Sequence, residues 1–266
     1  MNVFKREMKA SWKSLVFWSV GLLFIVGSGM GKYVALENSG DSINELLGQM
    51  PASLRAIFGI GSLDLSTVAG YYGLLYLYLL IMAGIHAAML GATIISKEER
   101  DKTAEFLFVK PISRTTVISA KLAASVAIVI VFNGVTLISS IIFVGSSVNE
   151  GAPITSEIIW LMGGMFMLQL LFLFLSTAIA ACVRNPKLAI PISTGILLVT
   201  FLLSIGMELT SKLDKLKYVT PFKYFEAKAI VNGGGYDMSF VVLACLLIAI
   251  FIAMTYGFYR KRDLFV

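Results

Sequence analysis

The chain has 266 residues, 58% of them hydrophobic and 14% charged, with a mean hydropathy of +0.85. Soluble domains run near half apolar and one quarter charged, so this balance excludes an ordinary soluble domain and points to an integral membrane protein. Cys182 and Cys245 stand far apart, which excludes a disulfide scaffold or a cysteine-held zinc site, and the net charge of +6 is dispersed rather than gathered into a block for nucleic acid.

The first stretch, VFKREMKASWKS, is basic and places Val3, Phe4, Met8 and Trp12 at helical spacing. It predicts an amphipathic helix on the inner membrane surface, with its lysines toward anionic headgroups, in preference to a plain charged flank. A membrane-crossing helix needs about 20 mostly apolar residues, and six segments qualify: about 15–35, 68–95, 117–145, 157–183, 188–207 and 239–259. The first shows no small-residue cleavage site and is expected to be retained. Gly27 and Gly31 within it have the spacing that lets helices approach closely, for a dimer seam or for packing inside the subunit.

Between the first two spans, Ser42 and Glu45 have capping-box spacing and Pro51 suits a helix start, so two short surface helices are expected there. The second span holds His86, the one histidine of the chain. An ionisable group inside a span is a functional candidate by default; the scarcity of carboxylates in the spans favours a neutral imidazole bonded to a neighbouring helix. Asn133 and Gln169 are expected to hydrogen-bond between helices rather than to hold a substrate. Gly163 and Gly164 either loosen the fourth span or admit a neighbour. RNPK at 184–187 predicts a tight turn broken at Pro186. The polar stretch 208–238, broken by Pro221 and three glycines at 233–235, is expected to dip into the bilayer edge with its lysines snorkelling outward.

Orientation follows from the basic residues. Fifteen fall on the side of both termini, the 96–114 segment and the 184–187 turn, against seven on the other side. Positive charge is retained in the cytoplasm, so both termini and the 96–114 segment are expected inside. No internal repeat and no long polar segment are present, so one membrane domain over 1–266 is expected.

The segment SKEERDKTAEFLFVKPISR (96–114) is the densest polar insert between two apolar spans. Ser96 and Glu99 again have capping-box spacing, predicting a helix that starts there and ends before Pro111. Ser113 is placed to cap the next span. The charges of Glu98, Glu99, Arg100, Asp101, Lys102 and Glu105 are expected to face water or a protein. The apolar run 106–109 needs a cover, either the membrane surface or a partner groove.

The pattern formed by Glu98, Glu99, Thr103, Glu105, Phe106, Leu107, Pro111, Ser113 and Arg114 resembles the cytoplasmic loop of ABC-2 type transporter permeases. The segments TPFKYF (220–225) and YRKRDL (259–264) also look like that family. The likeness extends to topology over the whole chain. One departure is Lys102, where such proteins often have glycine. The resemblance implies an all-α membrane protein with six transmembrane helices, an N-terminal amphipathic surface helix, a cytoplasmic coupling helix and short extracellular helices. It also implies that Glu98, Glu99, Arg100, Thr103, Glu105, Phe106, Leu107, Pro111, Ser113 and Arg114 dock on a separate cytosolic ABC ATPase. Two copies of that ATPase would carry ATP and magnesium, and a second or related permease would complete the transporter in a bacterial plasma membrane.

No G-x-x-x-x-G-K-[ST] occurs in the chain, so ATP hydrolysis is expected on the partner and no cofactor on this polypeptide. No Ser–His–Asp set, paired Asp or His-rich metal set lies in the spans, which makes a membrane enzyme the weakest reading. An aromatic path between two permeases, with Tyr71, Tyr72, Tyr76, Tyr78 and His86, would suit the export of an amphipathic peptide, antibiotic or other lipophilic cargo. The competing reading is an ATP-independent channel or scaffold, which would leave the membrane without an ATPase attached.

Overall fold

A computed structural model describes residues 3–39, 50–57, 63–102, 113–147 and 154–261. Its elements, in chain order, are α1 (Val3–Ser39), α2 (Ala52–Ile57), α3 (Val68–Arg100), α4 (Arg114–Gly145), α5 (Thr155–Cys182), α6 (Ala189–Leu209), α7 (Ala227–Val231) and α8 (Met238–Lys261). Short 3-10 turns fall at Pro186–Leu188, Ser211–Val219 and Pro221–Lys223. Among the described residues, six helices are long and apolar enough to cross a membrane: α1, α3, α4, α5, α8, and α6 together with its leading turn. This is the all-α membrane architecture expected from the sequence.

The basic N-terminal segment is helical, but it runs into the first span without a break. At 1.5 Å per residue the 37 residues of α1 reach about 55 Å, several turns more than a bilayer core needs. The second expected surface helix is present as α2, whose first turn closes on Pro51: Leu54 N and Arg55 N donate to the Pro51 carbonyl at 3.0 and 3.1 Å. The first, over Ser42 and Glu45, lies outside the described residues. Asn185 caps the turn at Pro186 by accepting from Lys187 N at 3.1 Å, as RNPK predicts.

The centre of the bundle is α3 packed along α5, with α1, α4, α6 and α8 around this pair. Small residues allow the contact. Ala83, Ala87, Ala88 and Ala92 are buried on α3. At Gly91 a Cβ would lie 2.3 Å from the Leu173 carbonyl oxygen of α5, so the two backbones touch there. Without a hydrophobic drive between helices in lipid, such close packing is what holds them together. Gly27 meets Phe143 of the same subunit, with a Cβ position 3.1 Å from that ring, whereas Gly31 meets nothing within 4 Å among the described residues. The outward surfaces are apolar: Phe17 and Phe24 on α1, Ile138 and Ile142 on α4, Leu202 on α6, and Leu246 and Ile250 on α8 are exposed. Such a surface suits hydrocarbon as the surrounding medium and would be a liability in water.

Both described chain ends, the end of α3 and the start of α4 lie on one side of the bundle: Arg6 contacts Glu98, and Arg114 contacts Arg260. We call this the basic face. The opposite face holds α2, the start of α3 and the 211–236 segment; Tyr33 near the end of α1 reaches it by donating to the Ser66 carbonyl at 3.0 Å.

Candidate functional site

The 103–112 insert joins α3 to α4 at the basic face, so the site is built from those two helix ends. The sequence predicts a new helix starting at Ser96. Instead α3 continues unbroken to Arg100. Ser96 is buried and its hydroxyl donates to the Ala92 carbonyl at 2.7 Å, the back-bonded arrangement of a serine inside a helix rather than at its cap. The chain leaves the helix at Asp101, whose N–H donates to the Lys97 carbonyl at 2.8 Å, followed by Lys102 at φ +54°. A left-handed residue just past the last turn is the usual helix stop, and glycine is its usual occupant because a Cβ is strained there. The departure from the family pattern thus falls at a position whose backbone favours glycine. Lys102→Gly is expected to raise stability by about 1 kcal/mol, read as a higher thermal unfolding midpoint in detergent.

Ser113 caps α4 as expected, its Oγ accepting from Thr116 N at 3.1 Å. Arg114 Nη1 donates to the Arg260 carbonyl at 3.4 Å, tying the start of α4 to the end of α8.

Glu98 departs from expectation. It is buried, 7% exposed, and does not present its charge to water or to a partner. Its Oε1 accepts from Arg6 Nη2 at 2.8 Å and its Oε2 pairs with Lys121 Nζ. Lys121 also donates to the Ile94 carbonyl. Glu7, on α1, accepts from Arg6 at 2.7 Å and pairs with Lys97. The side chains of Glu7 and Lys121 are fully buried. Five charges from α1, α3 and α4 thus form one cluster. Charges are tolerated away from water only when paired and hydrogen-bonded, which is the condition met here.

Sequence reasoning missed this cluster, treating all its members as surface charge. Two signals could have found it. Lys121 lies inside the predicted third span, where an ionisable group has a role by default, and Glu7 is the one acid in an otherwise basic N-terminal stretch. The neighbouring charges do face outward: Arg100 Nε pairs with Asp101 Oδ1 at 3.0 Å, with side chains 35% and 54% exposed. Glu99 is half-buried. Thr103, Glu105, Phe106, Leu107 and Pro111 lie outside the described residues.

The residues expected along a translocation path are packed within the subunit. Tyr71, Tyr72, Tyr76 and His86 are all buried. Tyr71 meets the Tyr33 ring at 5.2 Å, and Tyr72 Oη donates to Ser140 Oγ at 2.6 Å. Tyr76 Oη approaches Gly164, where a Cβ would lie 2.9 Å away. The reason is geometric: α3 is the innermost helix, so Tyr71, Tyr72 and Tyr76 fill the subunit's core, while Tyr78 is half-buried. His86 stacks on Phe132 at 4.6 Å and leans on Trp18 at 5.7 Å. Asn133 Nδ2 donates to Gln169 Oε1 and to the Met162 carbonyl, each at 3.2 Å, in keeping with the interhelical hydrogen bonding expected of both residues.

The opposite face is closed by an aromatic wedge that the sequence reading placed at the bilayer edge. Phe222 and Phe225 are buried. Phe222 meets Phe172 of α5 at 5.6 Å and Phe201 of α6 at 5.3 Å. Gly164 admits Phe225, whose Cβ would be 2.9 Å from an added one. Lys223 between them does not snorkel freely; it pairs with Glu208 and Glu226. Burial opposes its charge, but the two carboxylates outweigh that and hold the ammonium above its ordinary range.

Comparison with known families finds a match over residues 1–264 to the family described as ABC-2 family transporter protein. No curated protein matches the chain.

Proposed function

The chain belongs to the ABC-2 transporter family, whose members are the membrane components of transporters rather than the catalysts, and from that premise we propose that it is an exporter permease driven by a separate cytosolic ATPase. In this reading the basic face is cytoplasmic, as the excess of lysine and arginine there supports, and the protein sits in a bacterial plasma membrane. The 103–112 segment is the coupling element. It docks on one of two ATPase copies, which carry the ATP and magnesium, while a second permease pairs with this one.

The observation that carries this reading is the bracing of the helix ends on both sides of the insert. The end of α3 is held by Arg6 of α1 and Lys121 of α4, and the start of α4 by the Arg260 carbonyl of α8. A displacement applied to 103–112 is therefore delivered to four helices as a rigid body instead of being absorbed by loose ends. The ATPase must bind this segment differently in its two nucleotide states, since only differential affinity can shift a conformational equilibrium.

Glu105→Ala with Phe106→Ala tests the docking role. The double variant is expected to lose association with the ATPase, or to hydrolyse ATP without transport; wild-type behaviour in both assays would contradict it. The cargo class we propose is amphipathic or lipophilic. With Tyr71, Tyr72, Tyr76 and His86 inside the subunit, a path between two copies would be walled by outward apolar side chains such as those of α6 and α8. ATPase stimulation by amphipathic peptides supports that class, and stimulation by small inorganic ions alone contradicts it.

A further inference from the structure

We infer that the buried ionic cluster of Arg6, Glu7, Lys97, Glu98 and Lys121 is the joint through which movement of the α3–α4 bend reaches α1, with Arg6 and Glu7 as positioning residues. The inference rests on the reading above that a partner moves that bend. It proceeds from where the links fall. Two cross-links connect α1 to α3, Arg6 to Glu98 and Glu7 to Lys97, and a third connects α3 to α4 through Lys121 and Glu98. Glu98 is shared, so α1 and α4 are fastened to the same carboxylate on its two oxygens.

Packing alone does not require this. The apolar contacts at this end, among them Ile94, Ile95, Ile118, Leu122 and Ala181, would hold the helices in contact but let them slide. Paired buried charges resist sliding, because each ångström of separation strands a charge away from water. Lys5, Lys9, Trp12 and Lys13 on the other side of α1 are exposed, while Phe4 and Met8 pack against the apolar cluster. Glu7 lies about 200° around the helix from Lys5 at 100° per residue, so the helix has one face for the membrane surface and one for the joint. A shift of the bend would then tilt α1, the longest described helix, along its whole length.

The variant Arg6→Gln/Glu7→Gln isolates the α1 links. It removes one positive and one negative charge, leaves the Glu98–Lys121 pair in place, and spares Lys97, whose side chain is 19% exposed and can rehydrate. The cluster's net charge is unchanged and Lys121 keeps its contact with Glu98, so the fold is expected to survive, with an unfolding midpoint lowered less than by Glu98→Gln.

The experiment uses the full chain with its co-purified ATPase in lipid nanodiscs, Cys245→Ala, and spin labels on Cys182 at the end of α5 and on either Lys102→Cys or Lys9→Cys, with the labelled chain diluted in unlabelled chain. Distances are read without nucleotide and with ATP plus vanadate. In the otherwise wild-type chain both labels are expected to move. In the double variant the Lys102→Cys label still moves and the Lys9→Cys label no longer does. Arg6→Lys/Glu7→Asp, which keeps both charges, restores the α1 movement; a merely structural role would not separate these variants. If α1 moves as in wild type when the links are gone, the joint is refuted while the driven bend stands. If the bend label does not respond to nucleotide in the wild-type chain, the transporter reading fails first and takes the joint with it.

Discussion

Glu98→Gln is expected to destabilise the folded chain by about 3–5 kcal/mol, the usual cost of removing one member of a buried ion pair. The loss should exceed that of any single charge on the outer surface. Lys121 has no exposed side-chain area, and Glu98 is the one carboxylate paired directly with it among the described residues. Without that carboxylate the ammonium keeps the Ile94 carbonyl and the more distant Glu7, but it loses the one counter-charge in direct contact and has no exposed area. Arg6 suffers less, because its side chain is 33% exposed. Glu98→Gln/Lys121→Met should recover most of the loss, since a buried pair replaced by neutral side chains of similar volume is often close to neutral. Thermal unfolding of the four members of this double-mutant cycle in detergent isolates the coupling between the two residues. A surface docking residue would behave differently: its substitution should stay within about 0.5 kcal/mol of wild type. A wild-type midpoint for Glu98→Gln would thus return Glu98 to the solvent side.

Gly91→Ala should cost about 2 kcal/mol net. The added methyl falls 2.3 Å from a carbonyl oxygen of the α5 backbone, where no rotamer change can make room. Overpacking of this kind costs up to about 3 kcal/mol, offset by about 1 kcal/mol from the better helix propensity of alanine. The α3–α5 contact is the middle of the bundle, so the helices must part to accommodate the group. Gly134→Ala on α4 is the control. Among the described residues nothing lies within 4 Å of that position, so only the propensity term remains and stability should rise by about 0.5–1 kcal/mol. Equal behaviour of the two alanines would mean that α3 and α5 do not touch at Gly91.

The six spans were legible because a bilayer imposes a long apolar run on each crossing, and composition alone reveals it. Capping was legible where a side chain meets only its own helix end, as at Ser113. It misled at Ser96, where the same residue types sit inside a helix that tertiary contacts prolong. The residues 96–100, read alone, look like the start of a separate helix; the partners that make them the end of α3, Glu7 and Lys121, lie about 90 residues before and about 20 after. The burial of Tyr71, Tyr72 and Tyr76 within the subunit was not legible for a related reason. Which helix is innermost depends on where glycine and alanine let backbones meet, and in an all-apolar segment the inward and outward faces carry no contrast in polarity. The wedge at Phe222 and Phe225 was hidden by its lysine, which reads as a surface residue until Glu208 and Glu226 are seen to neutralise it.

The most direct test of a motor-driven permease is a covalent one. A photo-reactive amino acid placed at Phe106 in the full chain, irradiated in native membranes and followed by mass spectrometry, reports what that position touches. The reading advanced here requires the cross-linked product to be an ATP-binding subunit, with a yield that changes when ATP and vanadate are added. Cross-links confined to lipid or to the chain itself, in membranes that contain such subunits, would contradict it.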